Sequence, residues 1–89
     1  MFNPTDMLPV KEKNFTLQAV YEFGEHYELS VVSGGCINGY EICLFHHGRE
    51  TPFTGMTEDN PTKDGLDESE VILVMSQLRM ITGYRPKQV

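Results

Sequence analysis

The sequence predicts an α+β fold: an antiparallel sheet of about three strands, arranged as a meander, with one C-terminal α-helix packed on one face. Three observations predict it. Between residues 15 and 47, apolar and polar residues alternate in three runs, the period of a half-buried strand. Glycine-bearing stretches at 24–25 and 33–39 separate those runs. After residue 66 the apolar period lengthens to three and four, that of an amphipathic helix.

Residues 1–14 read as an irregular lead-in. Pro4 and Pro9 interrupt it, and Lys11-Glu12-Lys13 is polar. Met7, Leu8 and Val10 are its candidates for packing across the domain as a strap. The first strand places Phe15, Leu17, Ala19, Tyr21 and Phe23 on one face. Gly24-Glu25 suits a two-residue type II′ turn. The second run, His26 to Ser33, places Tyr27, Leu29 and Val31 together. "SGGCING", residues 33–39, is loop chemistry, with Ile37 as its apolar tip. The third run, Tyr40 to His46, sends Tyr40, Ile42 and Leu44 to one face and Glu41, Cys43 and Phe45 to the other. "ETPFTG" at 50–55 adds at most a short edge piece, because Pro52 is excluded from a central strand.

Residues 55–66 read as a long acidic loop before a helix over 67–82. Asp67 is its N-cap, and Glu70 three residues later completes a capping-box pattern. Val71, Val74, Met75, Leu78 and Ile81 form the apolar stripe. Gly83 ends the helix, and Pro86 prevents its continuation. Ile72, Leu73 and Met80 widen the stripe beyond what one face of a thin sheet needs. Either the helix is deeply embraced or part of it faces a second copy of the chain. The opposite sheet face, with Val20, Val32, Cys43 and Phe45, is left open in such a design. Exposed apolar surface of this kind marks a partner or a dimer.

The chain has 89 residues, enough for one small domain. Seven basic residues stand against thirteen acidic ones, giving a net charge of −6. Phosphate neutralisation needs clustered Lys and Arg, so direct nucleic-acid binding is not expected. No apolar run approaches the length of a membrane span. The N-terminus lacks a basic start followed by an apolar run, so a cytoplasmic protein is expected. Two cysteines, Cys36 and Cys43, are too few for a disulfide framework and read as free thiols.

"CLFHHGRE", residues 43–50, concentrates chemistry-bearing side chains. Zinc is disfavoured because Cys36 and Cys43 are seven apart, and structural sites need closer pairs. The strand period also parts His46 from His47. A Cys43–His47 nucleophile pair lacks an orienting third group and a cleft. The acidic stretch "TEDNPTKDGLDESE" fails as a calcium loop: starting from Asn60, position 12 falls on Val71, where a bidentate Glu is required. No metal, cofactor or catalytic residue is therefore assigned.

The combination "YELSVVSGG…GYEICLF", an acidic Gly/Pro loop and "ESEVILVMSQLRMITG" resembles small accessory proteins of tailed bacteriophages and prophages over residues 26–83. The resemblance implies a partner-binding role, which for some such proteins is inhibition of host machinery, and it transfers no residues.

The expected function is that of a small acidic, non-enzymatic protein-binding or regulatory factor. It would act through an acidic patch or the open sheet face on a basic surface of a protein partner. The candidate contact residues are Glu58, Asp59, Asp64, Asp67, Glu68, Ile37, Phe45 and His47. The alternatives are a self-associating, homodimeric structural module and, third, a small metal-binding or thiol enzyme.

Overall fold

The computed structural model describes residues 1–52 and 62–89. A 3-10 turn, Pro4–Asp6, leads into strand β1 (Leu8–Pro9). Strands β2 (Leu17–Phe23), β3 (Tyr27–Ser33) and β4 (Tyr40–His46) follow. Then come β5 (Arg49–Glu50), β6 (Thr62–Leu66), helix α1 (Glu68–Thr82) and β7 (Pro86–Gln88). The fold is α+β, with an antiparallel sheet and one helix.

The central meander β2-β3-β4 follows the alternating pattern. Its register aligns Ala19, Val31 and Ile42 in one row and Tyr21, Leu29 and Leu44 in the next. These rows face α1, whose Val71, Val74, Met75 and Leu78 are buried against them. Fully burying each large side chain contributes about 1.5–3 kcal/mol before entropy is subtracted. That matters for a helix of 15 residues, which is marginal in isolation. The Asp67 carboxylate accepts from the Glu70 N–H at 2.9 Å, while Glu70 Oε1 accepts from the Asp67 N–H at 3.1 Å. Gly83 closes the other end with φ 78, a conformation that favours glycine.

The sheet is larger than the three strands expected: seven strands lie among the described residues. The four additional strands are short and divide the two outer edges. β1 and β7 pair with opposite ends of β2, and β5 and β6 with opposite ends of β4. Short edge strands leave little unpaired backbone for aggregation. β7 was hidden because Pro86 reads as a stop signal, yet proline is tolerated at an edge. Residues 62–66 belong to β6 rather than to a loop, and a register shift between Tyr40 and Ile42 accommodates them.

Three further expectations change. The β2–β3 connection has three residues, Gly24–His26, because Phe23 pairs with Tyr27. Gly24 has φ 76, and a Cβ there would meet the Tyr84 ring at 2.6 Å, so the turn packs directly on that ring. Ile81 is half exposed rather than buried with the rest of the stripe. Phe15 leaves the helix-facing row. The chain bends before β2, where the Cys36 N–H donates to the Asn14 carbonyl at 2.8 Å.

The lead-in contributes to the core. Phe2 and Met7 are buried, while Leu8 is exposed. The Phe2 ring meets Tyr40 and Tyr21 edge-on, at centroid distances of 5.2 and 6.3 Å. The Tyr21 hydroxyl donates to Asp6 Oδ2 at 2.8 Å, and Gln88 Nε2 donates to the Asp6 carbonyl at 2.7 Å. Both ends of the chain are thus fastened to β2. Among the described residues, no helix is long and apolar enough to cross a membrane.

Candidate partner-binding face

Alternate residues of the meander point away from α1. By register they form three rows: Gln18, Val32 and Glu41; Val20, Ser30 and Cys43; Glu22, Glu28 and Phe45. The edge strands extend these rows. Glu50 lies beside Phe45, Thr62 beside Cys43 and Lys87 beside Glu22.

This face has its own small apolar centre. Val32 is only 7% exposed although it lies outside the helix-facing core. Phe15, displaced by the bend before β2, joins Val32 and Phe45 around a depression of about 250 Å³. Glu41 and Glu50 also line it, together with the polar side chains of Gln18, Ser30 and Thr62. Gln18 Nε2 donates to the Ser30 hydroxyl at 3.1 Å, which orients the amide across two strands. Small-molecule sites usually enclose roughly 300–1,000 Å³. The depression is closer to the size of one or two side chains than of a cofactor.

The electrostatics are one-sided. Among the described residues, the rows carry the carboxylates of Glu22, Glu28, Glu41 and Glu50 and one ammonium, that of Lys87. Cys43 reports this field. Burial pushes its thiol above the ordinary cysteine value, and the charges of Glu50 and Glu41 push the same way. The Thr62 hydroxyl, 3.7 Å from Cys43 Sγ, opposes them. These influences favour the thiol over the thiolate that nucleophilic chemistry uses.

A second cluster lies at one end of the sheet. β4 stops at His46, and His47 turns into the left-handed region with φ 53. Its N–H donates to the His26 carbonyl at 2.8 Å. The His47 ring then stands 4.3 Å, centroid to centroid, from both His26 and His46. His46 in turn stacks on Tyr27 at 4.2 Å with 7° between the planes. The strand period had sent His46 and His47 to opposite faces. The turn conformation brings them back into contact. Partial loss of hydration, with the neighbouring His26 and His46, holds the His47 pKa below the usual histidine value. Among the described residues no group of His, Cys, Asp or Glu is placed to hold a metal ion.

The candidate contact residues are spread over several places. Phe45 lies on the uncovered face. His47 belongs to the histidine cluster at the end of β4. Ile37 lies in the β3–β4 loop, at the other end of β4, where its N–H donates to the Gly34 carbonyl at 3.0 Å. Asp64 is exposed on β6. Asp67 and Glu68 are exposed at the start of α1, and the Asp67 carboxylate is engaged in its cap. Glu58 and Asp59 lie outside the described residues. Sequence reasoning passed over Phe15, Glu41 and Glu50 as contacts. Glu41 was legible, since strand alternation sets it on the face of Cys43 and Phe45. Phe15 was not, because its alternation points to the other face.

No family model matches this chain, and comparison with curated proteins and with solved structures found no match.

Proposed function

We propose that this protein is a small non-enzymatic binding factor that docks a basic segment of a protein partner on its uncovered sheet face. The observation that carries this reading is the apolar centre of Phe15, Val32 and Phe45 bordered by Glu41 and Glu50. A Lys or Arg side chain presents an apolar stem and a cationic head. Its stem fits the depression, its head meets the carboxylates, and the phenyl rings add cation–π attraction. Glu22 and Glu28 lengthen the acidic track along β2 and β3. Asp64, Asp67 and Glu68 add to the overall negative field that steers a basic surface toward the protein. The resemblance to phage accessory proteins fits action on a host protein of this kind.

Calorimetry with lysine- and arginine-rich peptides that also carry an aromatic residue tests the reading. The expected result is binding that weakens with salt and falls about tenfold or more in a Glu41→Lys, Glu50→Lys variant. Equal affinity of that variant, or equal binding of an acidic peptide, would overturn it.

A further inference from the structure

The polar groups around the depression converge on its middle. Ser30 and Cys43 are register partners there, on adjacent strands about 4.8 Å apart. Gln18 reaches in from β2, where its Nε2 donates to the Ser30 hydroxyl at 3.1 Å. Glu50 reaches in from β5, where its carboxylate accepts from the Cys43 thiol. The Thr62 hydroxyl donates to the Cys43 sulfur at 3.7 Å. One N–H of Gln18, the Thr62 hydroxyl and the Cys43 thiol are thus engaged within the chain. What the middle of the depression turns toward a ligand is dominated by acceptors: the Glu50 carboxylate from one side and the Gln18 carbonyl oxygen from the other. The Phe45 ring stands beside Glu50.

We infer that the depression anchors one arginine of the partner segment in preference to a lysine. The inference rests on the reading of this face as the site of a basic segment and narrows it to one side chain. A guanidinium carries five N–H donors in a fixed plane and no acceptor, whereas an ammonium is a compact, strongly hydrated point charge. Two neighbouring N–H groups of the fork match the two oxygens of a single carboxylate, which Glu50 supplies. The opposite edge of the same plane is directed at the Gln18 carbonyl oxygen. A lysine has no second edge with which to meet both. The Phe45 ring offers the flat face on which a guanidinium stacks. Weaker hydration also lets arginine enter an apolar depression at smaller desolvation cost. The volume of about 250 Å³ suits a single long side chain. Glu41, about 13 Å along β4 from Phe45, is left to pair with a second cation of the segment.

Calorimetry on the full chain with a short lysine-rich peptide carrying one aromatic residue tests the choice. Arginine, symmetric dimethylarginine or citrulline replaces each lysine in turn. At one position the arginine form should bind about tenfold more tightly than the all-lysine peptide. Dimethylarginine keeps the charge but blocks the fork, so there it should fall back to the lysine level. Citrulline, planar and uncharged, should bind more weakly than either. In Glu50→Gln and in Phe45→Leu the arginine-to-lysine ratio should fall toward one. Equal affinity of the arginine and lysine forms at every position overturns the arginine anchor and leaves the basic-segment reading standing. Binding by none of the peptides overturns both. Dimethylarginine as tight as arginine, or a ratio unchanged in both variants, also overturns the inference.

Discussion

Phe45 and Glu50 face each other across the β4–β5 hairpin, so a phenyl ring and a carboxylate share the sheet face that α1 leaves uncovered. Their pairing fixes the character of that face. An aromatic contact alone would suit many apolar partners. A carboxylate alone would be a solvated charge of little consequence. Side by side, and repeated by Glu41 beside Val32, they favour a ligand that is both cationic and apolar.

The two thiols should react unequally. Cys36 is exposed, whereas Cys43 is partly buried between carboxylates. In the native protein at neutral pH, iodoacetamide should label Cys36 well before Cys43, and urea should remove the difference. Glu50→Gln removes a charge that raises the Cys43 pKa, so it should accelerate labelling there. Peptide mass spectrometry reads both rates.

The Tyr21–Asp6 hydrogen bond should matter for stability. Tyr21→Phe leaves the Asp6 carboxylate without its donor and is expected to cost about 1–2 kcal/mol, measured by urea unfolding. Burial and the Asp6 carboxylate both raise the Tyr21 pKa well above 10.0. Above pH 10 the unfolded chain therefore gives up a proton that the native state keeps. Stability falls as pH rises through that range, and the fall should be shallower in Tyr21→Phe.

His47 works in the acid direction. Its native pKa is lowered, so below about pH 6.5 the unfolded state binds the proton more readily than the native state. Protonation therefore subtracts stability as pH falls. NMR titration of the ring protons should place His47 below the ordinary histidine value, and His26→Gln should move it upward. A His47 titration at or above the ordinary value would contradict the cluster geometry.

The helix cap gives another pH signature. Asp67 is held ionised by hydrogen bonds from the Ser69 hydroxyl and the Glu70 N–H. Its contribution is present above about pH 3.8 and is lost as pH falls through the lowered native value. Asp67→Ala should lower the melting temperature at neutral pH by about 5 °C. At pH 2 the difference from wild type should shrink.

Much of this architecture could be read from the residues because local chemistry and tertiary packing agree. The alternation in Tyr40–His46 gave both faces of β4, and Asp67, Glu70 and Gly83 marked both ends of α1. The failures occur where tertiary contacts decide. Phe15 alternates correctly with Leu17, but the bend at Asn14 turns it over. Pro86 and Thr62–Leu66 carry loop signals and become strands because an open edge is available to each. The histidine cluster depends on one positive φ at His47, a backbone state that no side-chain pattern announces. The depression was half legible. Phe45, Cys43 and Glu41 follow from strand period, whereas Glu50 and Phe15 arrive from a turn and a bend.

The central claim is that the uncovered sheet face receives a basic segment. Its most direct test is a nitrogen–proton NMR titration of the labelled protein with a lysine-rich peptide carrying one aromatic residue. The account predicts shifts concentrated at Gln18, Val32, Glu41, Cys43, Phe45 and Glu50, suppressed by salt, with Leu73 and Met80 unmoved. Shifts absent from that face, or reproduced by an acidic peptide of the same length, would contradict it.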